Sequence, residues 1–171
     1  MTPSRKPTVY LDTNILSVLF YRGGNIPNLA RQLKTQDWWE QERKHFALVT
    51  SGRTEDELAH GVYRGQSAAL AAARRLTFLH ESSAVKQCAS VYLENALIPA
   101  TKFGDAIQLA FAVIHRIDYL LTWNHAHLAN MKVQKKLEAI NKKRKWRSPW
   151  LVSPETIPWL IMGQNIRRTD D

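Results

Sequence analysis

Short apolar runs alternate along this chain with longer segments of helical periodicity. Apolar, β-prone runs occupy residues 9–11, 46–50, 119–123 and 150–152, and each has the length of a short strand. The segments between them carry apolar side chains at helical spacing or are rich in alanine and polar residues. The pattern predicts helices over residues 15–20, 28–44, 54–63, 67–78, 84–97, 103–116 and 131–147.

Strands separated by helices are typical of a parallel sheet that is covered by helices on both faces. We therefore expect an α/β protein, a three-layer α/β/α sandwich with a short, mostly parallel central sheet. The length of 171 residues fits a single domain over residues 1–171, since the sequence shows no repeat, low-complexity linker or clear boundary.

Positive charge is concentrated towards the C-terminal end. The formal net charge is +9, and residues 131–147 contain a single acidic residue, Glu138. A nucleic-acid backbone would neutralise such a segment and release counterions, whereas a solvated helix that confers solubility explains the charge equally well. The candidate RNA-binding residues are Lys132, Lys135, Lys136, Lys142, Lys143, Arg144, Lys145 and Arg147.

The remaining composition narrows the class of protein. A single cysteine, Cys88, excludes an intramolecular disulfide framework and favours a reducing compartment. No apolar run approaches the roughly 20 residues that a membrane span needs. Residues 1–7 also lack the apolar region of a signal peptide. We therefore expect a soluble, cytoplasmic protein that has no membrane contact.

Acidic or amide side chains stand where predicted strands end or helices begin. Asp12 ends the first strand, Glu57 lies beyond the second, Asp105 opens the most apolar helix, and Asn124 ends the third strand. Taken singly, Asp12 and Asp105 could cap helices, Glu57 could belong to a solvated helix start, and Asn124 could be a turn residue. Each position alone is therefore explained without a function.

Together the same positions favour a ligand site, because ligands of open parallel sheets bind at the carboxyl ends of the strands. Carboxylates gathered at one edge repel each other unless a hard cation lies between them. Mg²⁺ and Mn²⁺ prefer oxygen ligands of this kind. The strand ends thus indicate a divalent-cation site at one edge of the predicted sheet.

Four motifs, in this order, resemble the PIN-domain nucleases, and most closely the VapC-like toxins of type II toxin–antitoxin systems. The resemblance covers residues 8–157 and includes a closing VSPE segment at 152–155. The four motifs are LDTNIL at 11–16, ELAHG at 57–61, GDAIQLA at 104–110 and DYLLTWNHAHLAN at 118–130.

The resemblance implies a PIN-like fold and a metal-dependent endoribonuclease that hydrolyses RNA phosphodiester bonds. Asp12, Glu57 and Asp105 match the three acidic positions and would hold one or two Mg²⁺ or Mn²⁺ ions. Asn124 matches the fourth catalytic position, at which the family has Asp or Asn. Because an asparagine carries no charge there, the number of ions stays open.

The residues that follow Asp12, Thr13 and Asn14, are expected to hydrogen-bond behind the metal ligands. The toxin resemblance implies a small antitoxin that covers the acidic cleft and a homodimer formed through helices, for which segments 28–44 and 84–97 are candidate surfaces. The basic helix would guide RNA to the cleft or serve a protein partner. An alternative is a catalytically weak PIN fold that only binds RNA or protein, because three acidic residues do not prove turnover.

Overall fold

A five-stranded sheet forms the centre of the computed structural model, which describes residues 5–157. The strand order is β3-β2-β1-β4-β5, and all four pairings are parallel. The first strand is therefore central, and the order reverses between it and the fourth. The strands are β1 (Thr8–Leu11), β2 (Ala47–Ser51), β3 (Thr77–Leu79), β4 (Tyr119–Leu121) and β5 (Trp150–Val152).

Helices connect the strands, as parallel pairing requires. Among residues 5–157, no helix is long and apolar enough to cross a membrane. The α-helices are α1 (Thr13–Leu19), α2 (Ile26–Asp37), α3 (Gly52–His60), α4 (Gln66–Ala73), α5 (Ser83–Glu94), α6 (Phe103–Ile114) and α7 (Met131–Arg144).

Two apolar clusters lie on opposite faces of the sheet. Tyr10 and Leu120, which are paired across β1 and β4, face the cluster formed with α5, α6 and α7. Their neighbours Leu11 and Leu121 face the cluster formed with α1, α3 and α4. This alternation confirms the three-layer α/β/α architecture, because the inner strands β1 and β4 are buried on both faces.

The sequence pattern failed at the edge strand and at one long helix. The helix predicted over 67–78 ends at Ala73, and Thr77–Leu79 instead forms β3 on the open edge of β2. The segment predicted as a helix over 28–44 is α-helical only as far as Asp37. A wide π-helical turn and one 3-10 turn follow it. Tertiary contacts outweigh helical propensity in both segments, since β3 gains backbone pairing and Trp38 buries its ring beside Phe46.

Asp118 ties the amino ends of two strands together. Its Oδ2 accepts hydrogen bonds from the backbone N (2.7 Å) and the hydroxyl (2.9 Å) of Thr8, and its Oδ1 accepts one from Arg147 Nη2 at 2.5 Å. Burial opposes the charge, but the hydrogen bonds from Thr8 and Arg147 outweigh it and lower the pKa of Asp118. The carboxylate thus links β1, β4 and the segment before β5.

We expect Asp118→Ala to lower the free energy of unfolding by about 1–3 kcal/mol at pH 7, because donors that are partly buried lose their acceptor. Since folding lowers the pKa of Asp118, this stabilisation is present above the unfolded-state pKa and is lost as the pH falls below it. Urea unfolding at pH 7 and at acidic pH measures the difference. Glu94→Ala, at an exposed position, is the control, and an equal loss in both variants would contradict the assignment.

Candidate active site

The four predicted positions lie at the carboxyl edge of the sheet, beside the point where the strand order reverses. Asp12 follows β1 directly, and Asn124 follows β4 by a short turn. Glu57 lies within α3 and Asp105 lies in the first turn of α6. Because β1 and β4 are neighbours, the two connections that leave them diverge to opposite faces and open a crevice here.

Asp12 is buried and held by neutral donors. It is 5% exposed and occupies the N-cap position of α1, but its side chain makes no capping bond to that helix. Its Oδ2 accepts hydrogen bonds from Asn14 Nδ2 at 2.7 Å and from the buried hydroxyl of Thr122 at 2.5 Å. Asn14 in turn accepts the backbone N–H of Trp123 at 2.9 Å, which ties the turn after β1 to the end of β4.

Glu57 reaches the same crevice from α3. Its Oε2 accepts hydrogen bonds from the Thr13 hydroxyl at 2.5 Å and from Gln108 Nε2 at 3.3 Å. A side chain on Gly104 would bring a Cβ within 3.4 Å of Glu57 Oε1, so that glycine allows α6 to approach the carboxylate closely. Thr13 therefore contacts Glu57, whereas Asn14 contacts Asp12.

Asp105 and Asn124 form a direct pair. Asn124 Nδ2 donates to Asp105 Oδ2 at 3.0 Å, and Asn124 Oδ1 accepts the backbone N–H of His127 at 3.0 Å. The helix α6 begins at Phe103 with Lys102 at its N-cap, so Asp105 does not cap it. Asn124 therefore orients the Asp105 carboxylate with a hydrogen bond from a neutral amide.

Burial, hydrogen bonding and the two other acids together set the pKa of Asp12. Burial raises its pKa, the hydrogen bond from Thr122 lowers it, and the charges of Glu57 and Asp105 raise it again, to about 6. Within residues 5–157, no Lys, Arg or His forms an ion pair with any of the three carboxylates. The crevice therefore carries negative charge that the described chain leaves unbalanced.

The chemistry of these donors fits a hard divalent cation, which prefers carboxylate oxygens and amide carbonyls. Within the described part of the chain, however, no three Asp, Glu, His or Cys side chains are grouped tightly enough to share one ion. Each carboxylate is instead hydrogen-bonded to neutral side chains. These partners engage one oxygen of each carboxylate.

A model of the PIN domain family matches residues 9–133. The chain belongs to the PIN domain family. Searches of curated proteins and of solved structures gave no match. PIN domains are generally nucleases, which are hydrolases, and they typically use divalent metal ions. All four predicted site positions lie within the matched residues.

Two polar residues of this PIN domain's crevice were not predicted from the sequence. Thr122 is fully buried and donates to Asp12, while it accepts the backbone N–H of Asn124. Gln108 is 3% exposed, and its Nε2 bonds to Thr13 and Glu57 while its Oε1 has no partner among the described residues. A lone amide in the apolar stretch of α6 was the available signal for Gln108.

Most of the segment that carries the predicted RNA-binding residues lies apart from the carboxylates. The helix α7 begins near the PIN domain's crevice and ends at the amino edge of the sheet, where Arg147 binds Asp118. Arg144 lies over the ring of Trp146, 5.4 Å from its centroid. The C-terminal half of the basic segment thus lies at the opposite edge of the sheet, and the match to the family ends near the start of α7.

We expect Asp12→Asn to stabilise the metal-free protein at high pH. Because folding raises the pKa of Asp12 from 3.8 to about 6, the native chain binds more protons than the unfolded chain in this range. The free energy of unfolding therefore falls as the pH rises through about 6. A shift of about two units corresponds to about 3 kcal/mol, which sets the upper limit of the gain at pH 8.

Urea unfolding in EDTA between pH 4 and pH 8 measures this effect, and the gain should shrink towards pH 4. Asp56→Asn, an exposed position on the same helix as Glu57, serves as the matched control and should leave the pH dependence unchanged. Parallel stability curves for the wild type and Asp12→Asn would contradict the raised pKa.

Proposed function

We propose that this PIN domain is a metal-dependent endoribonuclease that hydrolyses phosphodiester bonds of RNA. The observation that carries the proposal is the buried Asp12 carboxylate, whose pKa is raised by burial and by two further carboxylates, with no cation of the described chain beside it. A buried charge without a partner costs several kcal/mol. Its retention is understandable if a divalent ion and a phosphate group complete the site.

In this proposal Asp12, Asp105 and Glu57 hold one or two Mg²⁺ or Mn²⁺ ions. A bound divalent ion supplies positive charge for the phosphodiester and lowers the pKa of the attacking water. Asn124 holds Asp105 in place and presents an uncharged amide to the crevice. Glu57, which is exposed to solvent, would also orient the attacking water.

The residues behind the carboxylates keep them oriented before substrate arrives. Asn14 and Thr122 fix one oxygen of Asp12, and Thr13 and Gln108 fix one oxygen of Glu57. Each fixed oxygen leaves the other oxygen of the same carboxylate free to bind a cation. Such supporting hydrogen bonds commonly affect metal affinity or activity by about 10- to 100-fold.

We further propose that the nuclease is the toxin of a toxin–antitoxin pair and acts in the cytoplasm. This proposal rests on the VapC-like motifs.

Of the two candidate partner surfaces, residues 28–44 and 84–97, the exposed side chains favour the first, which contains most of α2. On α2, Ile26 and Leu33 are 78% and 64% exposed, and Leu29 lies between them at helical spacing. The apolar residues of α5 are instead buried against α6. An antitoxin helix or a second copy of the chain would cover these three apolar residues of α2.

A catalytically weak binding module is the second candidate function. The observation that favours it is the spacing of the carboxylates, which are not grouped tightly enough to share an ion. The two functions differ in one respect that can be measured, namely turnover of RNA that depends on a divalent ion.

We expect Asp12→Asn and Asp105→Asn to abolish cleavage of single-stranded RNA in Mg²⁺ or Mn²⁺, because each removes charge and little volume. Circular dichroism should show that both variants fold, and Asp56→Asn should cleave like the wild type. Excess EDTA should stop the wild-type reaction. Cleavage that persists in EDTA or in either site variant would contradict the mechanism, and RNA binding without cleavage by the wild type would support the binding module.

We expect Gln108→Leu to lower kcat by about 10- to 100-fold, because Glu57 and Thr13 lose a shared donor in the crevice. The KM for RNA should change little, since Gln108 is buried and cannot touch the phosphate backbone. Steady-state kinetics separates the two constants, and Gln87→Leu at an exposed position is the control. A rise in KM at constant kcat would assign Gln108 to binding instead.

A further inference from the structure

The outward face of α7 carries a continuous stripe of lysines. The inward face of this helix buries Gln134, Leu137 and Asn141 against the sheet and α5. The exposed positions on the opposite face recur at spacings of three, four and seven residues, so they share one side of the helix. We call these residues the lysine stripe: Lys132, Lys135, Lys136, Lys142 and Lys143.

The charge of the lysine stripe is not balanced by neighbouring acids. None of its members forms an ion pair within residues 5–157. Glu138, the single acid of α7, accepts a hydrogen bond from Gln134 at 2.8 Å at the edge of the buried face. Lys136 donates to the neutral backbone carbonyl of Ala96 at 2.6 Å. The stripe is therefore a strip of uncompensated positive charge.

The stripe runs from the candidate active site to the opposite edge of the sheet. The residue that caps the start of α7, Asn130, donates to the carbonyl of His125, next to Asn124. The far end lies where Arg147 meets Asp118, before β4 begins. With 14 residues and a rise of about 1.5 Å per residue, α7 is about 21 Å long.

The other basic residues of the segment have partners or a different orientation. Arg147 is paired with Asp118, and Arg144 stacks on Trp146. Lys145 ends the helix with a positive φ of 57°, which turns the chain away from the axis of the stripe. The structure thus divides the eight candidate RNA-binding residues into five that form the lysine stripe and three that lie outside it, of which Arg144 lines a groove beside the stripe.

We propose that the lysine stripe binds the phosphate backbone of single-stranded RNA that extends from the cleavage site. A stacked strand advances about 3.4 Å along its axis for each phosphate, so the length of α7 spans about six of them. A groove of ≈ 380 Å³ beside it is concave and partly basic, and it is lined by Asn95, Lys136, Ala139, Ile140, Lys143 and Arg144. The proposal rests on the proposed nuclease function and adds a second, remote contact to it.

An RNA backbone fits this surface better than an acidic protein does. The apolar residues on this face are the small Ala139 and, at the first position of α7, Met131, which is 63% exposed. Protein interfaces are enriched in aromatic residues and depleted in lysine. Five cations with one exposed large apolar side chain match a repeated anion better than they match a protein interface.

The test compares two triple variants that remove the same charge. Lys135→Gln, Lys142→Gln and Lys143→Gln together remove three of the five charges of the stripe. Lys6→Gln, Lys34→Gln and Lys44→Gln remove three charges at exposed positions elsewhere. Binding of RNA of about 20 nucleotides is measured in EDTA at several salt concentrations, and kcat/KM is measured in Mg²⁺ for this RNA and for one of about 5 nucleotides.

The stripe variant should bind the long RNA about tenfold more weakly, and its slope of log Kd against log salt should fall by about 2, or about 0.7 for each lost phosphate contact. Cleavage of the short RNA should be unchanged, and the control variant should behave like the wild type in all assays. Equal losses of binding in both variants would overturn the proposal. Unchanged RNA binding in the stripe variant would also overturn it and would favour a protein partner for the stripe. Failure of the wild type to cleave either RNA would contradict the nuclease function, while binding in EDTA would still test the stripe.

Discussion

The burial of one carboxylate beside two further acids, at one edge of the sheet, is the constraint on which the site of this PIN domain depends. Asp12 is buried, and its pKa is raised by burial and by the charges of Glu57 and Asp105. The described chain places no cation beside them. The fold holds this unfavourable charge with hydrogen bonds from neutral groups, which orient the carboxylates without removing their need for a counterion.

The topology explains how a small domain can hold such a site. Its central strand, β1, lies between β2 and β4, so Asp12 emerges at the reversal of strand order. The helix α6 is buried on nearly all sides and delivers Asp105 and Gln108 to the same crevice. At the other edge, Asp118 joins β1 to β4 and finds a basic partner in Arg147. Asp118 therefore has a basic partner, whereas the acids at the carboxyl edge have none among the described residues.

The helix α7 connects these two edges on the surface. Its buried face contributes to the core, and Gln134 continues the hydrogen bonding of the sheet by contacting Leu151 N at 2.9 Å. Its outward face carries charge that packing does not use. One helix can thus stabilise the sheet and also bind a polyanion, because its 3.6-residue period places the buried side chains on one face and the lysines on the other.

The sequence by itself determined the fold class and four of the five strands, because alternating strand and helix patterns require a parallel sheet. It also indicated the four candidate site positions, through strand ends, a helix start and the resemblance of the motifs to the PIN family. The tertiary structure decided β3, which forms through pairing with β2, and the wide turn around Trp38, which forms through burial of its ring. It also decided the contacts of Thr122 and Gln108 with the acids and the division of the basic segment. Those features depend on residues far apart in the chain, and local patterns contain no information about which distant groups will meet.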